Sequence, residues 1–356
     1  MINPNSYFVL HSSCIPVLGI KRSTICDLQR QIISFIPNDL FEILTAYKKK
    51  SFEEILDKFG ESNRPVLEDY FNFLVNKELG FWASEIEVEY FDSINLTYES
   101  PYKITNAIID VNQNSNHNFD LIFKSFEELG GLDVQIRAFC KLEYDILKEI
   151  VECSKGLRLN SIQIIAKFND ELTLKALNEL LATNLKITLL VFHSAPEERY
   201  WSEEISPIIL TKEKIDGKSH CGIISPDFFS VSLTFFSEAK SMNTCLNGKI
   251  SIDENGYIRN CPSCKDSFGS YKDTDLQFVV SNTAFTNLWK IKKDDITICK
   301  SCEFRYICSD CRAYLVEPDN LYSKPLKCGY NPETTEWEDW SLNPLNLESK
   351  KFYNLI

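Results

Sequence analysis

The sequence predicts an α/β protein with a winged-helix-like N-terminal domain, a partial (β/α) barrel and a cysteine-rich C-terminal domain. Three observations predict this order. Short strands followed by three helices occupy the first 85 residues, and strands alternate with helices from about residue 103 to residue 235. Eight of the thirteen cysteines then lie between residues 245 and 328. We expect domains at 1–85, 100–240 and 241–332, followed by a tail at 333–356.

Composition limits the functional classes. The chain has 356 residues and a formal net charge of −13, which disfavours a nucleic-acid partner because phosphate binding depends on Lys and Arg. No apolar run reaches the ~20 residues that a membrane-spanning helix needs. The N-terminus shows no basic and apolar signal segment. We therefore expect a cytoplasmic protein that binds neither nucleic acid nor membrane.

The first 85 residues predict three strands, at 7–10, 15–18 and 23–28, and three helices that begin near residues 38, 52 and 64. Ser51 and Glu54 have the spacing of a capping box for the second helix. Strands followed by three short helices are typical of a winged-helix-like domain. Such a unit is a structural cap, a DNA-binding module or a peptide-binding module, and the acidic balance disfavours DNA.

From residue 103 onward, strands predicted at 104–111, 134–139, 162–166 and 186–192 alternate with helices at 119–129, 143–153 and 172–182. This alternation is typical of βαβ units, which form a parallel sheet with helices outside. Right-handed crossovers would curve the sheet into a partial barrel.

The cysteine-rich segment contains the strongest chemical signal. It reads C-x2-C-x5-C-x2-C from Cys299 to Cys311, with a further C-x2-C at Cys261 and Cys264. A C-x2-C turn aims two thiolates at one metal site, whereas disulfides would need an oxidising compartment. We therefore predict metal binding. Eight thiolates match two four-thiolate zinc sites or two [4Fe–4S] clusters, and spacing alone leaves both open.

The order of the cysteines resembles one known arrangement. Cys245 is followed by ten residues, Gly256, four residues and Cys261, and then by C-x2-C-x5-C-x2-C and a final Cys328. This order resembles the SPASM domain, the cluster-binding extension of many radical SAM peptide-modifying enzymes. The match covers about 245–330, and one departure is that two residues, not three, precede Cys311. The resemblance implies one [4Fe–4S] cluster on Cys299, Cys302, Cys308 and Cys328, and a second on Cys245, Cys261 and Cys311 with Cys264 as the nearest fourth ligand.

The SAM-binding part of that family's pattern is missing. Radical SAM enzymes carry C-x3-C-x2-C after the first barrel strand, but residues 112–118 contain no cysteine, and the motif occurs nowhere else in the chain. A cluster with an open iron needs about three thiolates. We therefore do not expect SAM as a cofactor.

Taken whole, the chain resembles the SPASM-containing peptide maturase of grasp-with-spasm systems, in residues 14–30 and 302–313 above all. The resemblance implies an ATP-grasp ligase and a precursor peptide as partners. The N-terminal unit resembles the RiPP recognition element, which binds a precursor leader as an added strand on its third strand. The residues that this implies for peptide binding are Ser23, Thr24, Ile25, Cys26, Asp27 and Leu28 on the receiving strand, and Tyr70 on the third helix, which would wall the groove.

These expectations lead to one first hypothesis and two alternatives. The first is a component of ribosomal peptide (RiPP) maturation that binds a leader peptide and carries auxiliary iron–sulfur clusters without SAM cleavage. The alternatives are a redox-active peptide-modifying enzyme and a zinc-stapled protein–protein adaptor, and no catalytic residue is assigned. His220 and Cys221 are interpreted as a loop histidine beside a buried structural cysteine.

Overall fold

The computed structural model describes residues 2–130, 132–201 and 207–356. The N-terminal elements are, in chain order, β1 (Tyr7–Leu10), β2 (Cys14–Val17), β3 (Ser23–Asp27), β4 (Ile32–Ile36), α1 (Asn38–Ala46), α2 (Phe52–Phe59), α3 (Arg64–Asn76) and β5 (Gly80–Ala83). Strands β2, β3 and β4 form an antiparallel meander with β3 in the centre, and β1 pairs separately with β5. Ile25 on one face of the meander packs on the helices, and Cys26 on the other face packs with Phe304 of the cysteine-rich segment. The meander is therefore covered on both faces.

Two N-terminal strands, β4 and β5, were not predicted from the sequence. The turn before β4 contains neither glycine nor proline, although Gln31 adopts a left-handed φ of 58°. Pro37 follows β4 directly and occupies the N-cap position of α1. The Pro37–Asp39 segment therefore indicates the start of the helix, whereas neither glycine nor proline indicates a turn on the other side of β4.

Helix α2 begins with the predicted capping box. The Ser51 hydroxyl accepts a hydrogen bond from the Glu54 N–H at 3.2 Å, and the Glu54 carboxylate accepts one from the Ser51 N–H at 2.8 Å. We expect Ser51→Ala to lower the free energy of unfolding by about 1 kcal/mol, measured by urea denaturation. The exposed Ser62, changed to alanine, is the matched control, and equal stability of the two variants would contradict the role of the cap.

The central part of the chain forms one large sheet with helices along it. Its elements are β6 (Asn106–Val111), α4 (Phe119–Leu129), β7 (Asp133–Lys141), α5 (Tyr144–Cys153), β8 (Ser161–Lys167), α6 (Leu174–Leu181), β9 (Ile187–His193), β10 (Arg199–Trp201), β11 (Ile208–Leu210), α7 (Leu233–Ser241), β12 (Lys249–Ile252) and β13 (Ile258–Arg259). The strand order is β10-β11-β9-β8-β7-β6-β12-β13, and every neighbouring pair from β11 to β12 is parallel. The predicted mixed α/β fold with a parallel sheet is confirmed.

This sheet has two open ends in the part of the chain that the structure describes. Strands β10 and β13 lie at opposite edges, each joined to its one neighbour by antiparallel pairing. Strand β12 falls within the segment predicted as the third domain, yet it pairs in register with β6. The main hydrophobic core also continues from the central strands to Leu246, Ile250 and Trp289. The cysteine-rich segment therefore shares a core with the sheet.

The remaining elements are short: α8 (Leu276–Ser281), α9 (Thr283–Thr286), β14 (Tyr330–Asn331), β15 (Glu336–Trp337) and α10 (Leu347–Phe352). Trp340, Tyr353 and Leu355 of the tail pack against Cys311 and Leu326. The tail therefore covers part of the cysteine-rich segment. Among the described helices, none has the length and apolar character needed to cross a membrane.

Candidate metal centre and peptide-binding edge

Short turns hold both C-x2-C pairs of the cysteine-rich segment. The Cys264 N–H donates to the Cys261 carbonyl at 2.9 Å, and the Cys302 N–H donates to the Cys299 carbonyl at 2.9 Å. The Phe304 N–H also donates to the Cys302 sulfur at 3.5 Å. Since all thirteen cysteines are free thiols, the turns leave these side chains available as ligands.

Four cysteines form the first thiol set: Cys245, Cys261, Cys264 and Cys311. A hydrogen bond from Cys264 lowers the pKa of Cys261 to about 5. The pKa of Cys311 is raised to about 12, mainly by burial and then by the nearby Cys245 and Cys261. Thiols affect one another's pKa in this way only at short range. The four side chains are thus mutual neighbours, although 66 residues separate Cys245 from Cys311.

The second thiol set consists of Cys299, Cys302, Cys308 and Cys328. Burial raises the pKa of Cys308 to about 12, and Cys328 and Cys299 contribute in the same direction while Lys293 opposes them. Burial also raises the pKa of Cys302, and Cys308 and Cys299 add to this shift. The eight predicted ligands thus lie in the two sets that the SPASM resemblance implies. That they bind metal stays a prediction.

The chemistry of each set fits a negatively charged thiolate group. The Lys249 ammonium lies 3.5 Å from the Cys245 sulfur of the first set, and the Lys293 ammonium lies 3.9 Å from the Cys299 sulfur of the second. Lys293 is only 4% exposed. A buried cation is costly unless negative charge compensates it. The Asp310 carboxylate, 3.2 Å away, compensates Lys293, and thiolates bound to a metal would add to this negative charge. Across residues 2–130, 132–201 and 207–356, however, no three potential ligands converge on a point that would hold a single metal ion.

Cys221 corrects one interpretation made from the sequence. It is exposed, not buried, and the next residue, Gly222, lies so close that a Cβ there would be 3.0 Å from the Cys311 sulfur. Its charge also raises the pKa of Cys245, after the larger effects of burial, Lys249 and Cys261. Cys221 is therefore a fifth thiol beside the first set. The His220–Cys221 pair was the only sequence signal for it, and His220 instead lies 3.0 Å from the Glu213 carboxylate.

The carboxyl ends of β6 and β7 meet beside the first thiol set. There Arg137 makes two hydrogen bonds to Asp110, at 2.7 and 2.8 Å, in a pair that is 9% and 0% exposed. Burial raises the pKa of Asp110 to about 6, and Arg137 opposes this shift. A cavity of about 390 Å³ lies nearby. It is lined by Asn112 and Phe139, each two residues further along its chain segment than a member of the pair, and by Lys218, Glu254 and Tyr314. Ligands of open α/β sheets bind at such strand ends.

The predicted receiving strand for a peptide has no free edge. Residues Ser23, Thr24, Ile25, Cys26 and Asp27 form β3, which pairs with β2 on one side and β4 on the other. All five residues and the following Leu28 are buried. A peptide could pair with this strand only if β2 or β4 left the sheet. The sequence prediction placed the strand correctly but missed β4, which occupies the edge.

The free edge of the meander belongs to β4. The Leu28 N–H donates to the Ser13 carbonyl at 2.9 Å, which places Ile25 among the β3 residues whose backbone groups point away from β2 and toward β4. Ile25 is opposite Ser34, so the N–H and C=O groups of Ile33 and Phe35 point outward. Neither residue makes another backbone hydrogen bond within the described residues. Strand β4 thus presents two unpaired backbone positions.

The C-terminal end of helix α3 is hydrogen-bonded to the turn before β4. At one end of β4, Arg30 donates to the Lys77 and Glu78 carbonyls at 2.9 and 3.0 Å. At the other end, Tyr70 is close enough to Asp39 for the carboxylate to raise the tyrosine pKa, after the larger effect of burial. Tyr70 and Phe73 are half-buried on this helix. The predicted wall residue Tyr70 therefore lies near Asp39 of α1, the helix that follows β4 in the chain.

The meander also touches the second thiol set. Arg22 lies 3.7 Å from the centre of the Phe35 ring and 2.9 Å from the Glu303 carboxylate. Thr24 donates to the Glu303 carbonyl at 3.1 Å, and Glu303 adjoins Cys302 in sequence. The two segments that carried the grasp-with-spasm resemblance, 14–30 and 302–313, thus contact each other.

Comparisons with known proteins give little further information. No protein-family model matches the chain, and no curated protein sequence matches it. Two solved structures of SuiB from Streptococcus suis align over 91% of this chain and 98% of their own. The one bound to S-adenosylmethionine has 11% identity and a TM-score of 0.30, and the one bound to precursor peptide SuiA has 10% and 0.29. At such TM-scores the likeness does not establish a common fold.

Proposed function

We propose that this chain is a peptide-binding component of RiPP maturation that docks the leader of a precursor peptide as an added strand on β4. The observation that carries this proposal is the open edge of β4, where the Ile33 and Phe35 backbone groups are unpaired. An extended peptide supplies the missing hydrogen bonds, and side chains such as Tyr70 contact the alternate residues of the peptide. Docking at β4 replaces docking at Ser23–Leu28.

The same proposal assigns a [4Fe–4S] cluster to each thiol set. The order of the eight cysteines follows the SPASM pattern, and each set supplies the four thiolates that a [4Fe–4S] cluster takes. A four-thiolate zinc site uses the same donors, and metal analysis distinguishes the two. When bound, the clusters would supply one-electron transfer or a rigid cross-link.

Two further parts of the proposal rest on the sequence. The residues that follow β6, 112–118, contain no thiol, so the chain has no ligands there for a SAM-binding cluster. The bond-forming chemistry would then belong to a partner, for which the grasp-with-spasm resemblance suggests an ATP-grasp ligase. The chain would present the precursor peptide to that ligase in the cytoplasm.

A paired substitution at Phe35 tests the docking site. Phe35→Pro removes the outward N–H and the ring, whereas Phe35→Ala removes only the ring. Proline is tolerated at an edge position whose N–H faces solvent, so the sheet should remain folded. The probes are fluorescein-labelled leaders of the short peptides encoded beside the gene, with binding measured by anisotropy.

We expect the proline variant to bind at least tenfold more weakly than the alanine variant, since each lost hydrogen bond at an otherwise dry edge costs about 1–3 kcal/mol. Unchanged circular dichroism spectra would show that both variants are folded. Equal affinities of the two variants would contradict docking at β4. If the wild-type protein binds none of the leaders, the proposed function itself is contradicted.

A second candidate function, a redox-active peptide-modifying enzyme, is favoured by the cavity at the strand ends. Tyr314 lines this cavity, and its hydroxyl donates at 3.2 Å to Ser263, which lies between Cys261 and Cys264. A substrate group bound there would therefore lie near the first thiol set. Incubation of the precursor with purified protein and dithionite, followed by mass spectrometry, distinguishes the two functions. A mass change without any partner protein would favour the enzyme.

A further inference from the structure

A buried polar network lies between the two thiol sets. Its centre is Asp310, which stands in the chain between Cys308 of the second set and Cys311 of the first. The Asp310 carboxylate is 4% exposed, and it accepts hydrogen bonds from Asn243 at 2.6 Å and from Arg312 at 2.9 Å. The Lys293 ammonium lies 3.2 Å from the same carboxylate.

The network reaches a cysteine of each set. Lys293 contacts the Cys299 sulfur of the second set at 3.9 Å, while the Asn243 side-chain oxygen accepts the Cys245 N–H of the first set at 3.1 Å. Three side chains, those of Lys293, Asp310 and Asn243, thus form a continuous path from Cys299 to Cys245. All three are at most 4% exposed.

The charges in this path act strongly because water is excluded. Charges a few ångströms apart interact several times more strongly in a protein interior than in bulk water. Lys293 lies nearest the second set and is positive, so it favours additional negative charge there. Asp310 is negative and adjoins both sets, so it disfavours additional negative charge on either. Lys249, 3.5 Å from the Cys245 sulfur, is the corresponding cation of the first set.

We propose that Lys293 and Asp310 set the reduction potential of the second thiol set's cluster in opposite directions, and that Asp310 couples that cluster electrostatically to the first. This inference rests on the cluster assignment of the proposed function. The redox event is the gain of one electron by a cluster, supplied in the experiment below by dithionite, with no covalent bond made or broken. Lys293 stabilises the reduced form, and Asp310 stabilises the oxidised form.

A purely structural role for the network makes a different prediction. If the network only held the two segments together, substitutions in it would lower thermal stability or cluster content but leave the potential of the retained clusters unchanged. The reduction potential is thus the measurement that separates the two roles.

The test compares Lys293→Gln, Lys293→Arg and Asp310→Asn in the full chain, purified anaerobically. Iron and sulfide are measured first, and each cluster is then titrated with dithionite and followed by electron paramagnetic resonance. We expect Lys293→Gln to lower the reduced-to-oxidised ratio of the second set's cluster at least tenfold at a fixed applied potential. This corresponds to a fall of about 59 mV in the reduction potential of a one-electron couple. Lys293→Arg keeps the charge and should retain the original potential. Asp310→Asn should raise the potentials of both clusters.

The outcomes separate failure of this inference from failure of the cluster assignment. Full iron content with unchanged potentials in Lys293→Gln and Asp310→Asn would overturn the inference and leave the clusters in place. If the wild-type protein contains no iron, both this inference and the cluster assignment are overturned. If Lys293→Gln fails to hold its cluster, Asp310→Asn decides alone, because asparagine has nearly the same shape as aspartate and can still accept hydrogen bonds from its neighbours.

Discussion

Replacing Arg137 by methionine is expected to lower the free energy of unfolding by about 3–5 kcal/mol, because the change leaves a buried carboxylate without its partner. Asp110 is fully buried at the end of β6, and the two hydrogen bonds from Arg137 are the ones that compensate its charge. Methionine has a similar length and fills the space, so the loss reports on charge more than on packing. Urea denaturation of the full chain at pH 7 measures the effect.

The double variant Asp110→Leu, Arg137→Met is the matched control, since replacing both ions by apolar groups is often neutral or stabilising. It should recover most of the loss, and a double variant as unstable as Arg137→Met would show that the ion pair is not the cause.

The pH dependence of the single variant provides a second check. In the folded protein the pKa of Asp110 is raised to about 6, above its ordinary value of 3.8. A raised carboxyl pKa gives stability that is complete below the ordinary pKa and is lost as the pH rises through about 6. Removing Arg137 takes away the group that opposes this shift, so Asp110 takes up a proton more readily in the variant. The deficit of Arg137→Met should therefore shrink between pH 7 and pH 5, and a constant deficit would contradict this account.

The central sheet was predictable because its signals are local. Helix α4, Phe119–Leu129, has the predicted bounds, and strands such as Ser161–Lys167 differ from the prediction by one residue at each end. Apolar side chains recur along these segments with the period of a buried strand or an amphipathic helix. The division of eight cysteines into two sets was also available from their order in the sequence, through the SPASM resemblance.

The peptide-binding edge could not be predicted in the same way. Ser23–Asp27 reads as a strand, but whether a strand is central or at an edge depends on partners that only the folded chain reveals. Without β4, the prediction gave β3 a free edge that β4 in fact occupies. Asp310 and Asn243 were likewise invisible, because their importance comes from contacts between residues that lie 67 positions apart. Sequence spacing identifies thiols but not the charges that surround them.

Contacts between the meander and the cysteine-rich segment unite the two halves of the proposed function. Phe35 on the free edge stacks with Arg22, which pairs with Glu303, the neighbour of Cys302. The Glu303 carboxylate is 1% exposed and also accepts a hydrogen bond from the Tyr330 hydroxyl at 2.5 Å. A buried carboxylate that accepts hydrogen bonds from two side chains orients the groups around it. These contacts place the proposed docking edge next to the segment that contains Cys302.

Replacing Cys308 by serine is expected to halve the iron and sulfide of the anaerobically purified protein, from about eight of each per chain to about four. Serine offers a hard oxygen where the cluster needs a soft thiolate, and Cys308 belongs to the second set alone. Iron, sulfide and zinc analysis with a visible spectrum measures the outcome. The matched control is Cys153→Ser on α5, a half-buried thiol that lies in neither set and should leave the content unchanged.

The same measurement identifies the fourth ligand of the first set. Cys264→Ser and Cys221→Ser remove the two candidate thiols one at a time. The variant that loses about four irons identifies which of them is the fourth ligand. Unchanged iron in both variants would contradict a four-thiolate first cluster. About two zinc ions per chain and no visible colour in the unchanged protein would contradict the clusters altogether. Both thiol sets would then be structural zinc sites that cross-link the fold. The protein would act as a peptide-binding adaptor whose function depends on the β4 edge.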